Sequence, residues 1–432
     1  MIGRFFQAAT RFAVTVAAFA SAVPACADSG VDLFSPDTFI VAGDVRIAAA
    51  DGERSWIDGG FGKLRFGGRS ASGPSDGRLR AALGSGDVVW QPKLGWALSA
   101  TIAGTIQQRE RMEAGLSEAF LSFKPLGDGP VRFAARAGLM WPPVSLEHSG
   151  AEWAVRDTIT PSAINSWMGE EVKFVGAEAT ATVAVGGGKL GLTGAIVDAN
   201  DTAGALLAFR GWALHDVKTL AWRKQPIPKM ADEMEAYQPY YTHPLMEIDG
   251  GYLKRPGWYV RAAWQLRAPV KIEAIHYDNG SDPLSADEYN EWGWRTRFEN
   301  VGATAMLSPS TELRAQAMRG TTVMGFYEGA HRLVETRFRS AFALVTQRFG
   351  EKASISGRVE GFSTRNHGSE VTAEDDEHGW AVTAAGKRAL GPNLFALVEL
   401  LHVDSRRDAR RRVGLAPRQA QTQLQTSLRL RW

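Results

Sequence analysis

Cysteine is all but absent: Cys26 is the only one in 432 residues. It falls in or at the edge of a segment read below as a removable leader, so disulfides and thiol chemistry are excluded from the remainder. Beyond that leader no uninterrupted apolar run is long enough for a helical membrane span. An excess of one charge sign is also missing, with 49 Lys and Arg against 47 Asp and Glu. The balance says little about partners; nucleic acid is not expected among them. Histidine is scarce, at 8. No His-Glu-x-x-His and no Gly-x-Ser-x-Gly occurs, and His148-Ser149 is the only adjacent His–Ser pair. Neighbours in sequence rarely meet in catalytic geometry, so no catalytic residue, metal site or cofactor is assigned and an enzyme is not expected. No Pro/Ser-rich linker or low-complexity tract divides the chain, which favours one large domain over several.

What is present is a two-residue rhythm. From Arg418 to Trp432 one parity holds Gln419, Gln421, Gln423, Gln425, Ser427, Arg429 and Arg431. The other holds Ala420, Thr422, Leu424, Thr426, Leu428, Leu430 and Trp432. Side chains on a strand point to opposite faces in turn, so one face is wet and the other greasy. A soluble sheet can do the same with its greasy face in a core. The closing aromatic after so long a strand favours a membrane wall with lipid on one side and a watery lumen on the other. The front end fits export: Arg4 and Arg11 precede an apolar stretch, and Ala25-Cys26-Ala27 supplies small residues for cleavage. Residues 1–27 are therefore expected to be a secretory signal and 28–432 a single barrel domain.

The same alternation recurs in segments of roughly ten residues, the length a tilted strand needs to cross a bilayer. Trp258, Val260, Ala262 and Trp264 alternate with Tyr259, Arg261, Ala263 and Gln265. Over 335–344 the expectation is that Thr336, Phe338, Ser340, Phe342 and Leu344 face lipid while Glu335, Arg337 and Arg339 face inward. Short Gly/Pro turns fall near 127–130, 186–188, 268–269, 307–310, 349–352 and 390–393, with longer polar links between them. For the parity to hold, Asn200-Asp201-Thr202 has to be a short outer turn. Counting back from Trp432 gives about eighteen strands, the first over 57–66, with 39–49 one too many for the even number expected. The fold class is thus all-β, a transmembrane antiparallel barrel of 16–18 strands with short periplasmic turns and long extracellular loops.

Several stretches resemble Gram-negative outer-membrane porins, the phosphate-selective type and its relatives in particular. They are SWIDGGFGKLRFGG (55–68), read as a strand, ARAGLMWPPVSLEHSG (135–150), INSWMGEEVKFVGAEA (164–179) and the closing strand. The resemblance implies a barrel, trimeric, that lets small hydrophilic solutes diffuse across the outer membrane of a Gram-negative bacterium, embedded in lipid and lipopolysaccharide. A lysine-rich constriction of the phosphate-selective kind has no counterpart here.

The inward parity is basic, with Arg132, Arg136, Arg261, Arg267, Arg295, Arg297, Arg314, Arg337, Arg339 and Arg358 expected to line the pore alongside Glu299 and Glu335. Rings of arginine concentrate anions and repel cations; the same arginines can instead pair with glutamates on adjacent strands and merely solvate the wall. The first reading predicts a weakly anion-preferring pore. Pro142-Pro143 ends a strand, and the region beyond carries Trp153, Arg156, Asp157 and Trp167, a mixture suited to a constriction loop folded into the lumen or to a rim contact. The 224–256 loop has aromatics beside carboxylates and suits sugar stacking, a flap or lipopolysaccharide contact. The acidic run at 373–378 reads as solvated loop or cation site, and the basic run at 406–412 as solvated loop or lipopolysaccharide contact. A barrel with a blocked lumen, serving as adhesin, receptor or structural protein, is the alternative function, with a lipid hydrolase behind it.

Overall fold

The computed structural model describes residues 33–70, 77–109, 111–125, 127, 129–198, 202–229, 241–243, 245, 254–267, 269–288, 290–369 and 376–432. The expected signal segment, most of the 224–256 loop and, of the acidic run, residues 373–375 lie outside these residues. Strands form wherever the alternation is strong. They are β1 (Phe39–Ala50), β2 (Arg78–Trp90), β3 (Leu98–Gln108), β4 (Met112–Phe123), β5 (Val131–Met140), β6 (Phe174–Val185), β7 (Gly188–Asp198) and β8 (Gly257–Gln265). The second half supplies β9 (Val270–Asp278), β10 (Arg295–Ser308), β11 (Thr311–Glu328), β12 (His331–Phe349), β13 (Ala353–Asn366), β14 (Glu377–Ala389), β15 (Leu394–Arg407) and β16 (Arg418–Arg431).

Each strand pairs antiparallel with its neighbour in this order, and β1 closes on β16 from Ala42↔Arg431 to Ala50↔Gln423. The result is a closed sixteen-stranded barrel. Closure leaves no edge strand, although β2 meets β3 only over Gly86–Trp90 and β4 meets β5 only over Ala119–Phe123. One rim carries only short turns. Between β6 and β7, Gly186 and Gly187 both take positive φ, 59° and 78°, which suits the twist of a two-residue hairpin. The opposite rim carries the long links 51–77, 141–173, 199–256 and 279–294, as expected for short-turn and long-loop ends.

The strand count corrects two readings. The first barrel strand is β1, which the sequence count treated as surplus, whereas 57–66 belongs to a link containing a single 3-10 turn, Trp56–Asp58. β7 and β8 pair directly with each other, and among the described residues between them no barrel strand occurs. Instead of following a short turn at Thr202, the chain enters helix α2 (Ala203–Phe209), every residue of which is buried. Asn200 and Asp201 are outside the described residues. Both segments pack inside the barrel, and a run of buried loop reads like a buried strand when periodicity is weak.

Outward residues are largely apolar, among them Val45, Ile102, Phe133, Ile196, Trp258, Trp264, Val301, Ile355, Leu424 and Leu428. In β16 the burial alternates residue by residue, with Gln419, Gln421, Gln423, Gln425 and Ser427 buried on the inward face. The main apolar cluster is also inside. Leu64, Val144, Ile164, Trp167, Met168, Val172, Leu207, Trp212 and Leu214 come from the links, and Tyr259, Tyr277, Phe298, Phe338, Phe342 and Leu401 from the wall. The long-loop half of the lumen is therefore filled by protein.

Candidate functional site

The lumen is shaped by described stretches of three links that fold inward: 51–70, 141–173 and 202–221. Each is tied to inward side chains of the wall. In the second, helix α1 (Ala163–Met168) is wholly buried and starts at Ser162, whose hydroxyl accepts Asn165 N–H at 3.3 Å. Ala163 N–H donates to Glu360 on β13 at 2.6 Å, so a wall carboxylate meets the positive end of the first turn. Glu399 on β15 accepts Ile159 N–H at 2.6 Å and Gln425 Nε2 at 2.8 Å. Arg358, fully buried on β13, donates to Glu147 at 2.8 Å, Glu360 at 2.9 Å, the Thr160 carbonyl at 2.8 Å, the Pro161 carbonyl at 3.1 Å and Thr383 Oγ1 at 3.1 Å. All of its nitrogens are engaged, which is what burial of a guanidinium requires.

The other two links are anchored in the same way. Lys63 pairs with Glu377 on β14, and its backbone N–H donates to Gln421 on β16 at 2.6 Å. Asp216 pairs with Arg46 on β1 and bonds Arg65 of the first link at 2.9 Å. Lys218 reaches Asp87 on β2 at 2.9 Å. Burial raises the Asp216 carboxyl, but Arg46 and Arg65 beside it outweigh that and hold it far below the usual carboxylate range. Burial likewise works against Glu171, yet Arg210 and His215 hold it down at about 2. Lys173 goes the other way. Burial pushes its ammonium down to about 7 despite the attraction of Glu118, and it lies 4.0 Å from the centre of the Trp141 ring.

The expected constriction residues all lie on the second inward link, in different settings. Trp167 is the hub of the apolar cluster, edge-on to Trp212, Phe298 and Phe338 at centroid distances of 6.2, 5.8 and 5.1 Å. Trp153 stacks on His148 at 5.2 Å, and its ring N–H donates to the Gly169 carbonyl at 2.7 Å. Arg156 and Asp157 stand nearer the short-turn side. Asp157 pairs with Arg314 on β11, and Arg156, 38% exposed, reaches Glu312 at 2.6 Å. Ser145 Oγ, the His148 ring and Glu170 form a chain with steps of 2.7 and 2.8 Å. Ser145 Oγ also accepts the N–H groups of Glu147 and His148. The hydroxyl thus serves as a turn acceptor, inside a packed loop.

On the short-turn side of the filled half, the inward wall is basic. Arg136 pairs with Glu178 at 2.7 Å, and Arg261 with Glu273 at 2.8 Å. Lys271 shares Glu273, and Arg348 shares Glu312 with Arg156 and Arg314. Arg132 and Lys189 continue this parity and are exposed. Lys387 Nζ donates to the Arg156 carbonyl at 2.9 Å, and Arg429 to the Val155 carbonyl at 2.7 Å.

Of the expected lining residues, Arg132, Arg136, Arg261, Arg314 and Arg358 point inward. Six others do not. Arg295, Arg297, Glu299, Glu335, Arg337 and Arg339 share the outward parity, because the alternate positions Thr296, Phe298, Thr336 and Phe338 are the buried ones. The reason is physical: the lumen here holds an apolar plug, so greasy side chains turn inward to meet it. Arg267 is exposed in the turn between β8 and β9, past the end of the strand. Glu360 is expected on the inward parity as a partner of the arginines; the anchoring carboxylates the sequence did not flag are Glu147, Glu171, Asp216 and Glu399. Charged residues inside otherwise apolar, tryptophan-rich links were the available signal. Among the described residues no group of three or more His, Cys, Asp and Glu side chains is placed to hold a metal ion.

No family model and no curated protein matches the sequence. Solved structures do match the fold. The outer membrane channel DcaP of Acinetobacter baumannii superposes with a TM-score of 0.53 at 10% identity, over 92% of this chain and 99% of that one. An anion-selective porin from Comamonas acidovorans gives 0.52 at 11%, over 91% and 99%. The chain has the closed sixteen-stranded barrel fold of outer-membrane porins.

Proposed function

We propose that this barrel sits in the outer membrane of a Gram-negative bacterium, short turns toward the periplasm. There it acts as a porin-type channel for small hydrophilic solutes with a weak preference for anions. The observation that carries the reading is the basic inward face of the periplasmic half, where Arg132, Arg136, Lys189, Arg261 and Lys271 outnumber Glu178 and Glu273. Fixed guanidinium and ammonium groups in a low-dielectric wall raise the local concentration of anions. Arg156 and Asp157, at the lower edge of the inward link, would then border the narrowest part of the route. In this reading the partners are the surrounding lipid and lipopolysaccharide, and a homotrimer is the expected assembly.

A second reading is favoured by the filling of the long-loop half: a closed barrel serving as a receptor, adhesin or structural element. Single-channel recording in planar bilayers under a salt gradient separates the two. A small conductance with an anionic reversal potential is expected. Clear cation preference would remove the anion claim, and a complete lack of conductance at all voltages would leave the closed barrel standing.

A further inference from the structure

The six residues that turned out to face outward are not scattered. Three lie on β10 and three on β12, and Arg337 and Arg339 of β12 join Arg319 of β11 and Arg365 of β13 in a patch of arginines on the outer wall. Arg319 and Arg339 are direct cross-strand partners, as are Arg337 and Arg365. Like charges directly opposite one another on a sheet are destabilising, and here two such pairs adjoin. Compensation is thin. Arg319, 80% exposed, meets Glu299 at 3.3 Å, and Arg337, 61% exposed, meets Glu335 at 3.3 Å. Arg339 donates to the neutral Ser363 hydroxyl at 3.0 Å.

The depth of the patch is specific. β11 and β12 are the longest strands, at 18 and 19 residues. A tilted strand spends roughly 9–11 residues crossing the hydrocarbon. Arg319 and Arg339 lie about that far from the short-turn ends at Thr311 and Phe349. Below them the same outward parity is apolar or small: Ala315 and Ala317 on β11, Ala341, Ala343 and Val345 on β12. The guanidinium groups thus begin where acyl chains end and head groups begin.

We propose that Arg319, Arg337, Arg339 and Arg365 form a binding site for the phosphate groups of a phosphorylated glycolipid in the outer leaflet. Guanidinium groups bind phosphate in bidentate fashion, and a phosphate bridging Arg319 and Arg339 relieves the repulsion the bare wall carries. The site rests on the outer-membrane reading and is independent of whether the lumen conducts.

The test uses the whole mature chain in detergent, with a bis-phosphorylated lipid A-type glycolipid, its dephosphorylated form and inorganic phosphate as probes. The parent is expected to bind the phosphorylated lipid and to discriminate against the dephosphorylated one. The R319Q/R339Q variant should bind about tenfold or more weakly, since a charge-assisted bond is worth roughly a decade in affinity. Arg388→Gln, an exposed change near the short-turn rim, should bind like the parent. Heat-modifiable migration on gels confirms folding, and R337Q/R365Q replaces the first pair if that pair does not fold. Equal binding by the variants, equal binding of both lipids, displacement by millimolar inorganic phosphate, or a change in oligomer size alone would overturn the site. Bilayer conductance of the same preparation separates the two readings. A parent that conducts without binding lipid loses only this site, and one that binds without conducting loses only the channel.

Discussion

At the residue scale, the lumen is held by charges that have no water to fall back on. Arg358 is the clearest case, because its guanidinium is the single bridge between Glu147 of an inward link and Glu360 of the wall. Replacing it with methionine leaves two buried carboxylates uncompensated. Breaking a buried pair from one side costs about 3–5 kcal/mol, so Arg358→Met should lower the temperature at which the band shifts from compact to unfolded on gels. Adding Glu147→Gln and Glu360→Gln to the same chain removes the orphaned charges and should recover most of the loss. A triple variant no more stable than the single one would show that Arg358 acts through packing alone. Trp167 tests the apolar counterpart. Its ring fills the centre of the cluster, and truncation to alanine should cost about 3–5 kcal/mol, read in the same assay.

At the scale of elements, the inward links decide how much of the lumen is open. Helix α2 lies so close to the wall that a Cβ on Gly204 would collide with the hydroxyls of Thr296 on β10 and Thr322 on β11. Gly204→Ala should lift the helix and raise single-channel conductance while leaving the barrel folded. A deletion of 144–168 should raise it further, and unchanged conductance in both would place the limiting segment elsewhere. How well the elements could be read in advance follows from the same physics. β16 and β8 were legible because their inward faces meet polar groups and their outward faces are apolar, so grease and charge separate cleanly. β10 and β12 were misread because Phe298 and Phe338 turn in to meet Trp167, while arginines occupy the outward positions above the apolar band. Alternation reports that two faces differ but does not say which is wet. That requires knowing what fills the barrel, and the filling comes from links too irregular for periodicity to reveal. The composition of the loop at Trp153, Arg156, Asp157 and Trp167 suits an inward segment and a rim contact alike, and its anchors on the wall leave no periodic signal at all.

At the scale of the whole molecule, wall and filling are held by different forces. The wall closes through backbone hydrogen bonds around sixteen strands, which do not titrate. The links seat through carboxylates that face buried cations, and those do. Glu171 is held at about 2 against an ordinary value of 4.5. Asp216, Glu147 and Asp157 are also lowered, because in each case neighbouring arginines or hydrogen-bond donors outweigh the effect of burial. A carboxyl whose seated form has the depressed value takes up protons more readily once unseated. Its contribution is therefore complete above the ordinary carboxylate range and is lost as pH falls from there toward the seated value. For Glu171 the window runs from about 4.5 down to about 2. Acid should therefore loosen the filling before it opens the wall. Channels recorded at neutral pH and again near pH 3 should show a reversible rise in conductance, with the β-sheet circular dichroism signal unchanged. Conductance and sheet signal lost together would mean that wall and filling form one cooperative unit, and a conductance that falls in acid would mean that these carboxylates do not seat the links.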